Sequence, residues 1–205
     1  MRKLIVAEHI SLDGVIQAPG GPTEDPSDGF KFGGWEAPYD DDEGGEFIME
    51  MFSTPFELLL GRRTYDIWAS YWPNVPSSSP AGSIADKFNL TTKLVATHRA
   101  ESLMWKNSVA LKGDVADAVR ALKGKSGANL MTWGSSELVR LLLAAGLVDE
   151  FWLLTYPVVL GHGKRLFGND ARPASFKVTK SITTASGILL TRFEKSGDVR
   201  TGSHA

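Results

Sequence analysis

The sequence predicts an α/β domain: a mixed, mostly parallel central sheet flanked by helices and closed by a C-terminal antiparallel hairpin. Two observations carry this. Short apolar runs of strand character alternate with stretches of helical period along the chain, the pattern that lays helices over a parallel sheet. The last two runs, Phe176 to Thr183 and Gly187 to Glu194, are separated only by a small-residue turn around Ala185-Ser186, which predicts the hairpin.

Taken in order, the strand candidates are Lys3 to Glu8, Phe56 to Leu60, Lys93 to Thr97, Ser108 to Leu111, Leu130 to Trp133 and Glu150 to Pro157, followed by the hairpin. Helices are clearest at Asp114 to Lys123 and Ser135 to Ala145. Val115, Ala118, Val119 and Leu122 stand at i, i+3, i+4 and i+7, and Leu138, Leu141, Leu142 and Ala145 repeat that spacing. Asp114 and Ser135 are N-cap residue types, and Gly124 and Gly146 suit C′ stops. After Leu60, Trp68, Tyr71 and Trp72 follow a helical rhythm and read as core or dimer surface rather than a stacking platform.

Pro19 to Gly45 is rich in Gly, Pro and Asp and has neither period, so it reads as a long loop. Its aromatic residues Phe30, Phe32, Trp35 and Tyr39 favour a packed, ligand-covering loop over disorder. Pro73 to Pro80 reads as a flexible connection. In the strand from Glu150, Phe151, Leu153 and Thr155 alternate with Trp152, Leu154 and Tyr156. Both faces are therefore apolar, and one of them facing a partner subunit predicts a homodimer. Residues 1–195 read as one domain and residues 196–205 as a polar, frayed tail.

Composition narrows the function. The chain has 205 residues, 42% hydrophobic and 22% charged, with a formal net charge of −2. This gives no electrostatic reason to expect a nucleic-acid partner. The chain has no cysteine, hence no disulfide, thiolate metal site or cysteine nucleophile. His9, His98, His162 and His204 lack helical zinc-ligand spacing, so no metal is expected. The first apolar run breaks at Glu8-His9, too early for a signal peptide or a membrane span, and the chain reads as cytoplasmic. Gly124-Lys125-Ser126 lacks the earlier P-loop glycine, Val119 standing there, and Gly161-His162-Gly163 lacks the third glycine of a dinucleotide fingerprint. His162 and Lys164 read as surface residues of that turn.

What remains is a set of three strand ends. Leu58-Leu59-Leu60-Gly61-Arg62-Arg63-Thr64-Tyr65 runs from a strand through a glycine into a helix start. Free N–H groups, the helix dipole and guanidiniums suit a phosphate there. Lys93-Leu94-Val95-Ala96-Thr97-His98-Arg99 ends in a hydroxyl, an imidazole and a guanidinium, the donor set of a phosphomonoester site. Leu130-Met131-Thr132-Trp133-Gly134-Ser135-Ser136-Glu137 is again strand, glycine and helix start. Ligands of open α/β sheets sit outside the carboxyl ends of the strands, so the three ends are expected to converge on one phosphate-rich ligand.

The order and spacing of these segments resemble the dihydrofolate reductase superfamily, in particular the branch of the riboflavin-biosynthesis reductase, the RibD C-terminal domain. The resemblance covers roughly residues 2 to 194. It is carried by Ile10-Ser11-Leu12-Asp13-Gly14-Val15-Ile16, by Gly61 to Tyr65, by Gly134-Ser135-Ser136-Glu137-Leu138, by Gly146-Leu147-Val148-Asp149-Glu150 and by Pro157-Val158-Val159-Leu160-Gly161. It implies NADPH as cofactor. Gly61, Arg62, Arg63 and Thr64 would hold phosphate, with Arg62 the ligand and Arg63 facing water. Thr97, His98 and Arg99 would read the 2′-phosphate, and Gly134, Ser135 and Ser136 the pyrophosphate. Backbone around Ala7, Val15 and Ile16 would flank the nicotinamide. Trp133 stands where the family commonly has the first of two glycines, so its indole either stacks on the cofactor or narrows the groove.

Reducing a C=N or C=O bond needs a proton beside the hydride. The folate reductases supply it near a buried carboxylate in a Trp-x-x-Pro-x-Asp pattern, and Trp35-Glu36-Ala37-Pro38-Tyr39-Asp40 has that spacing. The resemblance thus implies Asp40 as the catalytic carboxylate, supported by Thr155, with Trp35 and Tyr156 near the substrate. Asp13 is a second carboxylate, although an aspartate before Gly14 also suits a local turn cap. The activity implied is reduction of a small pyrimidine- or pterin-like heterocycle, as by 5-amino-6-(5-phosphoribosylamino)uracil reductase. True dihydrofolate reduction, or nucleotide binding without chemistry, are the alternatives.

Overall fold

The computed structural model describes residues 1–203; His204 and Ala205 lie outside the described residues. Eight strands form one sheet: β1 (Leu4–Ser11), β2 (Phe56–Gly61), β3 (Lys93–Ala96), β4 (Ser108–Ala110), β5 (Asn129–Trp133), β6 (Glu150–Tyr156), β7 (Ser175–Thr183) and β8 (Leu189–Gly197). Their spatial order is β4-β3-β2-β5-β1-β6-β8-β7. The first six run parallel, with β1 between β5 and β6, while β8 is antiparallel to both β6 and β7. Five helices cover the sheet: α1 (Asp42–Met51), α2 (Arg62–Tyr71), α3 (Gly82–Leu90), α4 (Val115–Lys123) and α5 (Ser136–Ala144).

A parallel sheet covered on both faces needs strands that are apolar on both faces, and the chain has two cores accordingly. Ile5, Ala7, Leu58, Met131 and Trp152 pack on one side; Leu4, Val6, Leu59, Leu130 and Phe151 on the other. Both faces of β6 are covered by this chain's own residues, since Trp152, Leu154 and Tyr156 join the first core and Phe151 and Leu153 the second. The strand therefore needs no partner subunit to bury it. β8 runs on to Gly197, where it pairs with Ser175.

Two helices depart from the sequence expectation. The acidic end of the predicted loop is the start of α1: Asp41 is its N-cap, accepting from Gly44 N at 2.8 Å, and Asp42 and Glu43 occupy the first turn, where negative charge complements the macrodipole. Gly44 and Gly45 hide this helix from propensity; burial of Phe47 and Met51 supplies what propensity lacks. α3 has no side-chain N-cap and escaped the sequence reading altogether. Its C-terminus is held from outside by Lys93, which has no solvent exposure. The Lys93 ammonium donates to the carbonyls of Phe88 (2.7 Å), Asn89 (3.2 Å) and Thr91 (2.9 Å) and lies 4.3 Å from the Trp105 ring centre. The caps at the other helices are mixed. Asp114 caps α4 by accepting from Asp117 N at 3.0 Å, but Ser135 makes no side-chain cap to α5. Gly146 has the left-handed φ of 66°, whereas Gly124 stays helical.

Lys93→Met would leave those three carbonyls without their donor while keeping the bulk of the stem. Urea unfolding should register a loss of about 2–4 kcal/mol; a change under about 0.5 kcal/mol, the size of an ordinary surface substitution, contradicts this account of α3.

Candidate active site

A cleft of about 1300 Å³ crosses the carboxyl ends of the strands from one core to the other. At one end lie the starts of α2 and α5. β2 and β5 are parallel neighbours, so they release their helices side by side. Gly61 N donates to Ser135 Oγ at 3.0 Å, and Ser135 N donates to Thr64 Oγ1 at 2.9 Å. A side chain on Gly61 would press on Ser135, its Cβ lying 3.4 Å from the Ser135 Cβ. Gly134 and Ser135 both take positive φ, 64° and 60°, a costly conformation for the serine that these bonds sustain. Gly61, Arg62, Arg63, Thr64, Trp133, Gly134, Ser135 and Ser136 all line the cleft, so two of the three strand ends converge on it as expected.

The third end converges in part. Arg99 lines the cleft, but Thr97 and His98 open onto a separate small depression beside Leu111 and Gly113. The arginines differ from expectation. Arg62 is engaged by the protein itself: its Nε lies 2.9 Å from both Asp66 carboxylate oxygens, and its Nη1 donates to Arg99 O (3.1 Å), Ser102 Oγ (2.7 Å) and Thr97 Oγ1 (3.3 Å). It ties α2 to the β3 exit. Arg63 does not simply face water; it pairs with Asp25 at 2.5 Å, as does Lys164 at 2.7 Å. Among the described residues, no hydrogen bond or ion pair engages the exposed Arg99 guanidinium.

At the other end the cleft is aromatic. Trp133 stacks on His9 with ring centres 5.2 Å apart, and Tyr156 lies 5.7 Å from His9 on its other contact. Trp68 stands edge-on to Trp133, and Trp72 edge-on to Trp68. Trp68, Tyr71 and Trp72 line this end; Trp68 and Trp72 also pack against the first core, as the sequence suggests, and so form its face toward the cleft. His9 Nδ1 meets the Glu36 carboxylate and lies 2.8 Å from the Tyr156 hydroxyl, which in turn donates to Glu36 Oε2 at 3.2 Å. Burial pushes the Glu36 carboxyl up, but His9 and the Tyr156 hydroxyl outweigh it and hold the group below its usual range. Burial, aided by Glu36, raises the Tyr156 hydroxyl far above its ordinary value, so it stays a proton donor.

The proposed catalytic set is corrected accordingly. Asp40 lines the cleft but is exposed, one residue before the α1 cap; Glu36, four residues earlier, is the carboxylate held within. Thr155 cannot support it. Alternation along β6 sends Thr155 to the sheet face opposite Leu154 and Tyr156, and only those two line the cleft. Asp13 is a structural clamp outside the cleft lining. It accepts from Ser11 Oγ (2.7 Å), Leu160 N (3.1 Å) and Gly161 N (3.0 Å). Burial raises its carboxyl, but these bonds prevail and hold it down at about 2. Trp35 is buried behind Tyr156, its indole N–H donating to Gln17 O at 2.8 Å. Ala7 and Val15 have no exposure, and of the predicted nicotinamide neighbours Ile16 lines the cleft.

Sequence reasoning missed Glu8, His9 and Glu36. A signal existed for the first two: they are the polar pair that interrupts an apolar strand. Glu8 is 2% exposed and lines the cleft. Its Oε2 accepts from Gly134 N at 3.1 Å, while Oε1 is buried without a partner. Burial drives its carboxyl well above the usual range. Among the described residues no His, Asp and Glu gather as a metal site, and no helix is long and apolar enough to cross a membrane.

Known proteins share this architecture. A putative riboflavin biosynthesis protein from Shewanella sp. PV-4 superposes with a TM-score of 0.63 at 22% identity, over 95% of this chain and 99% of that one. A dihydrofolate reductase from Enterococcus faecalis, complexed with NADP(H) and RAB-propyl, superposes with a TM-score of 0.56 at 15% identity, over 96% of each chain. The fold is therefore that of dihydrofolate reductase, with its mostly parallel sheet and antiparallel final strands. In sequence, the uncharacterized protein YyaP of Bacillus subtilis (strain 168) is 26% identical over 188 residues, 92% of both chains. Sheet, clamp and cleft all fall within residues 2–190, which match the RibD C-terminal domain, and the chain belongs to that reductase-like family.

Proposed function

We propose that the chain is an NADPH-dependent reductase of a small planar heterocycle. The observation that carries this reading is one cleft with two chemically different ends: paired helix starts that suit phosphates, and an aromatic chamber with a His9–Glu36–Tyr156 cluster. The residues fit the cofactor. Two helix starts offer backbone N–H groups, Arg99 is an uncommitted cation beside them, and the orphaned Glu8 Oε1 provides a hydrogen-bonding atom between the two ends. Gly61, Thr64, Gly134, Ser135 and Ser136 would hold the pyrophosphate, Arg99 the 2′-phosphate, and Ile16 with Trp133 the nicotinamide. When bound, NADPH supplies the hydride, which adds to carbon as a proton adds to nitrogen or oxygen.

The chain's own part is to place that proton. The Tyr156 hydroxyl and the His9 N–H both converge on the Glu36 carboxylate, which fixes the orientation of the imidazole. Trp133 stacked on His9 limits water around the imidazole, and a positioned acid of this kind contributes about 10²–10⁴-fold. The riboflavin-pathway reduction and dihydrofolate reduction are both accommodated by this arrangement at the level of reaction type.

Three measurements check these assignments. Tryptophan fluorescence titration should show NADPH binding more tightly than NADH, and Arg99→Ala should remove about tenfold or more of that preference; no binding of either at millimolar concentration refutes the reading. In a nicotinamide-absorbance assay over dihydropteridines and cyclic imines, His9→Phe should keep the stacking on Trp133 and the NADPH affinity while kcat falls about 10²-fold or more. An unchanged kcat removes His9 from the proton path. The third concerns Glu8. Its ionised form is disfavoured only in the folded chain, so its contribution to stability is complete below the ordinary value of 4.5 and is lost as pH rises toward the raised folded value. Glu8→Gln keeps an acceptor for Gly134 N, and should match the unaltered chain in Tm at pH 4 and exceed it at pH 8; a lower Tm at pH 8 contradicts the assignment.

A further inference from the structure

We propose that the aromatic end of the cleft takes a planar heterocycle that is uncharged or cationic and carries no phosphate. This deepens the reductase reading and rests on it only for naming the occupant a substrate. The argument begins with where the cations are. Four Lys or Arg side chains line the cleft: Arg62, Arg63, Arg99 and Lys164. Arg63 and Lys164 converge on one carboxylate, Asp25, and Arg62 is spent on Asp66 and the β3 exit. All sit at or beyond the N-terminal end of α2. Trp68, Tyr71 and Trp72 occupy the C-terminal end of the same helix, and a ten-residue helix separates its ends by about 15 Å.

Around the aromatic chamber the charges are of the other sign. Glu36, Asp40 and Asp41 line it, and among the described residues its one basic group, His9, is paired with Glu36. A phosphate brought here would lose its water beside carboxylates with no cation to receive it, and like charges juxtaposed at a binding surface disfavour a partner strongly. A planar ring meets the opposite situation. Trp133, Trp68 and Trp72 offer faces and edges on which an aromatic ring stacks, and an electron-poor or cationic ring gains further from their quadrupoles. One polar atom without a partner belongs to the same wall: Trp72 Nε1 is a buried donor without an acceptor, and an acceptor on the rim of a heterocycle would supply one.

The reductive step balances for such a substrate. A neutral C=N ring carbon receives the hydride and the ring nitrogen the proton, with NADPH leaving as NADP⁺; an iminium, already cationic at nitrogen, needs the hydride alone. The acidic chamber therefore suits an iminium-like ring, and its charge would select against a sugar phosphate on that ring.

Calorimetric titration of the full chain with three planar probes tests this: N-methylquinolinium (cationic), lumichrome (an uncharged alloxazine) and flavin mononucleotide, whose isomeric isoalloxazine ring carries a ribityl phosphate. The first two should bind at least tenfold more tightly than the third. Asp40→Lys reverses an exposed charge at the chamber without touching the His9 cluster, and should narrow the gap between lumichrome and flavin mononucleotide about tenfold while weakening N-methylquinolinium. Flavin mononucleotide binding as tightly as lumichrome to the unaltered chain, a gap unmoved by Asp40→Lys, or no binding of any probe at millimolar concentration would overturn the proposal. The two readings fail separately. Probes that bind as expected to a chain that binds neither NADPH nor NADH would refute the reductase and leave the chamber's selectivity standing, whereas tight NADPH binding with flavin mononucleotide preferred would do the reverse.

Discussion

The reciprocal pair of hydrogen bonds between the starts of α2 and α5 is the constraint on which the rest of the site depends. Gly61 N to Ser135 Oγ and Ser135 N to Thr64 Oγ1 lock two helix starts at one level on adjacent parallel strands. Each bond is ordinary; their effect comes from closing a ring. Ser135 is held at positive φ, Gly134 turns with it, and the Gly134 N–H is thereby aimed at Glu8. The turn thus fixes a buried carboxyl on the neighbouring strand, and the strand carries His9 as its next residue. The paired helix starts at one end of the cleft and the His9 cluster at the other are thus joined through two consecutive residues of β1, Glu8 and His9.

A division of labour among similar residues follows. Asp13, Asp25, Asp41 and Glu36 are all carboxylates near the cleft, yet three of them serve the scaffold. Asp13 clamps the first turn to the loop after β6, Asp25 gathers Arg63 and Lys164, and Asp41 caps α1. Glu36 instead meets His9 and the Tyr156 hydroxyl inside the cleft. The arginines divide in the same way, Arg62 serving as a strut and Arg99 remaining uncommitted. Bare residue type assigns none of these roles; the hydrogen-bond partners do.

The central parallel strands were legible because burial on both faces leaves continuous apolar runs, and the more exposed hairpin strands because a small-residue turn joins them. α4 and α5 were legible for the complementary reason, one apolar stripe at helical spacing. α1 and α3 were not. Each begins in residues of poor propensity, Gly44-Gly45 in one and Gly82 in the other, and each is made stable by contacts distant in sequence: the Phe47 and Met51 packing, and the Lys93 ammonium. The Trp-x-x-Pro-x-Asp spacing pointed to a segment that lines the cleft, but the short helical turn at Ala37–Tyr39 leaves Asp40 exposed and Glu36 facing His9.

The amino-acid sequence by itself determined the fold class, the parallel sheet with its final hairpin, the family and the glycine-marked strand ends, because these depend on local period and on backbone conformations that few residues allow. Tertiary structure decided which charged groups are spent on the scaffold and which remain for a ligand. It also made Trp68 and Trp72, packed on the core, a wall of the cleft and set His9, Glu36 and Tyr156 within reach of one another. Those outcomes depend on desolvation and on partners far apart along the chain, and a side chain's chemistry follows its neighbours in space.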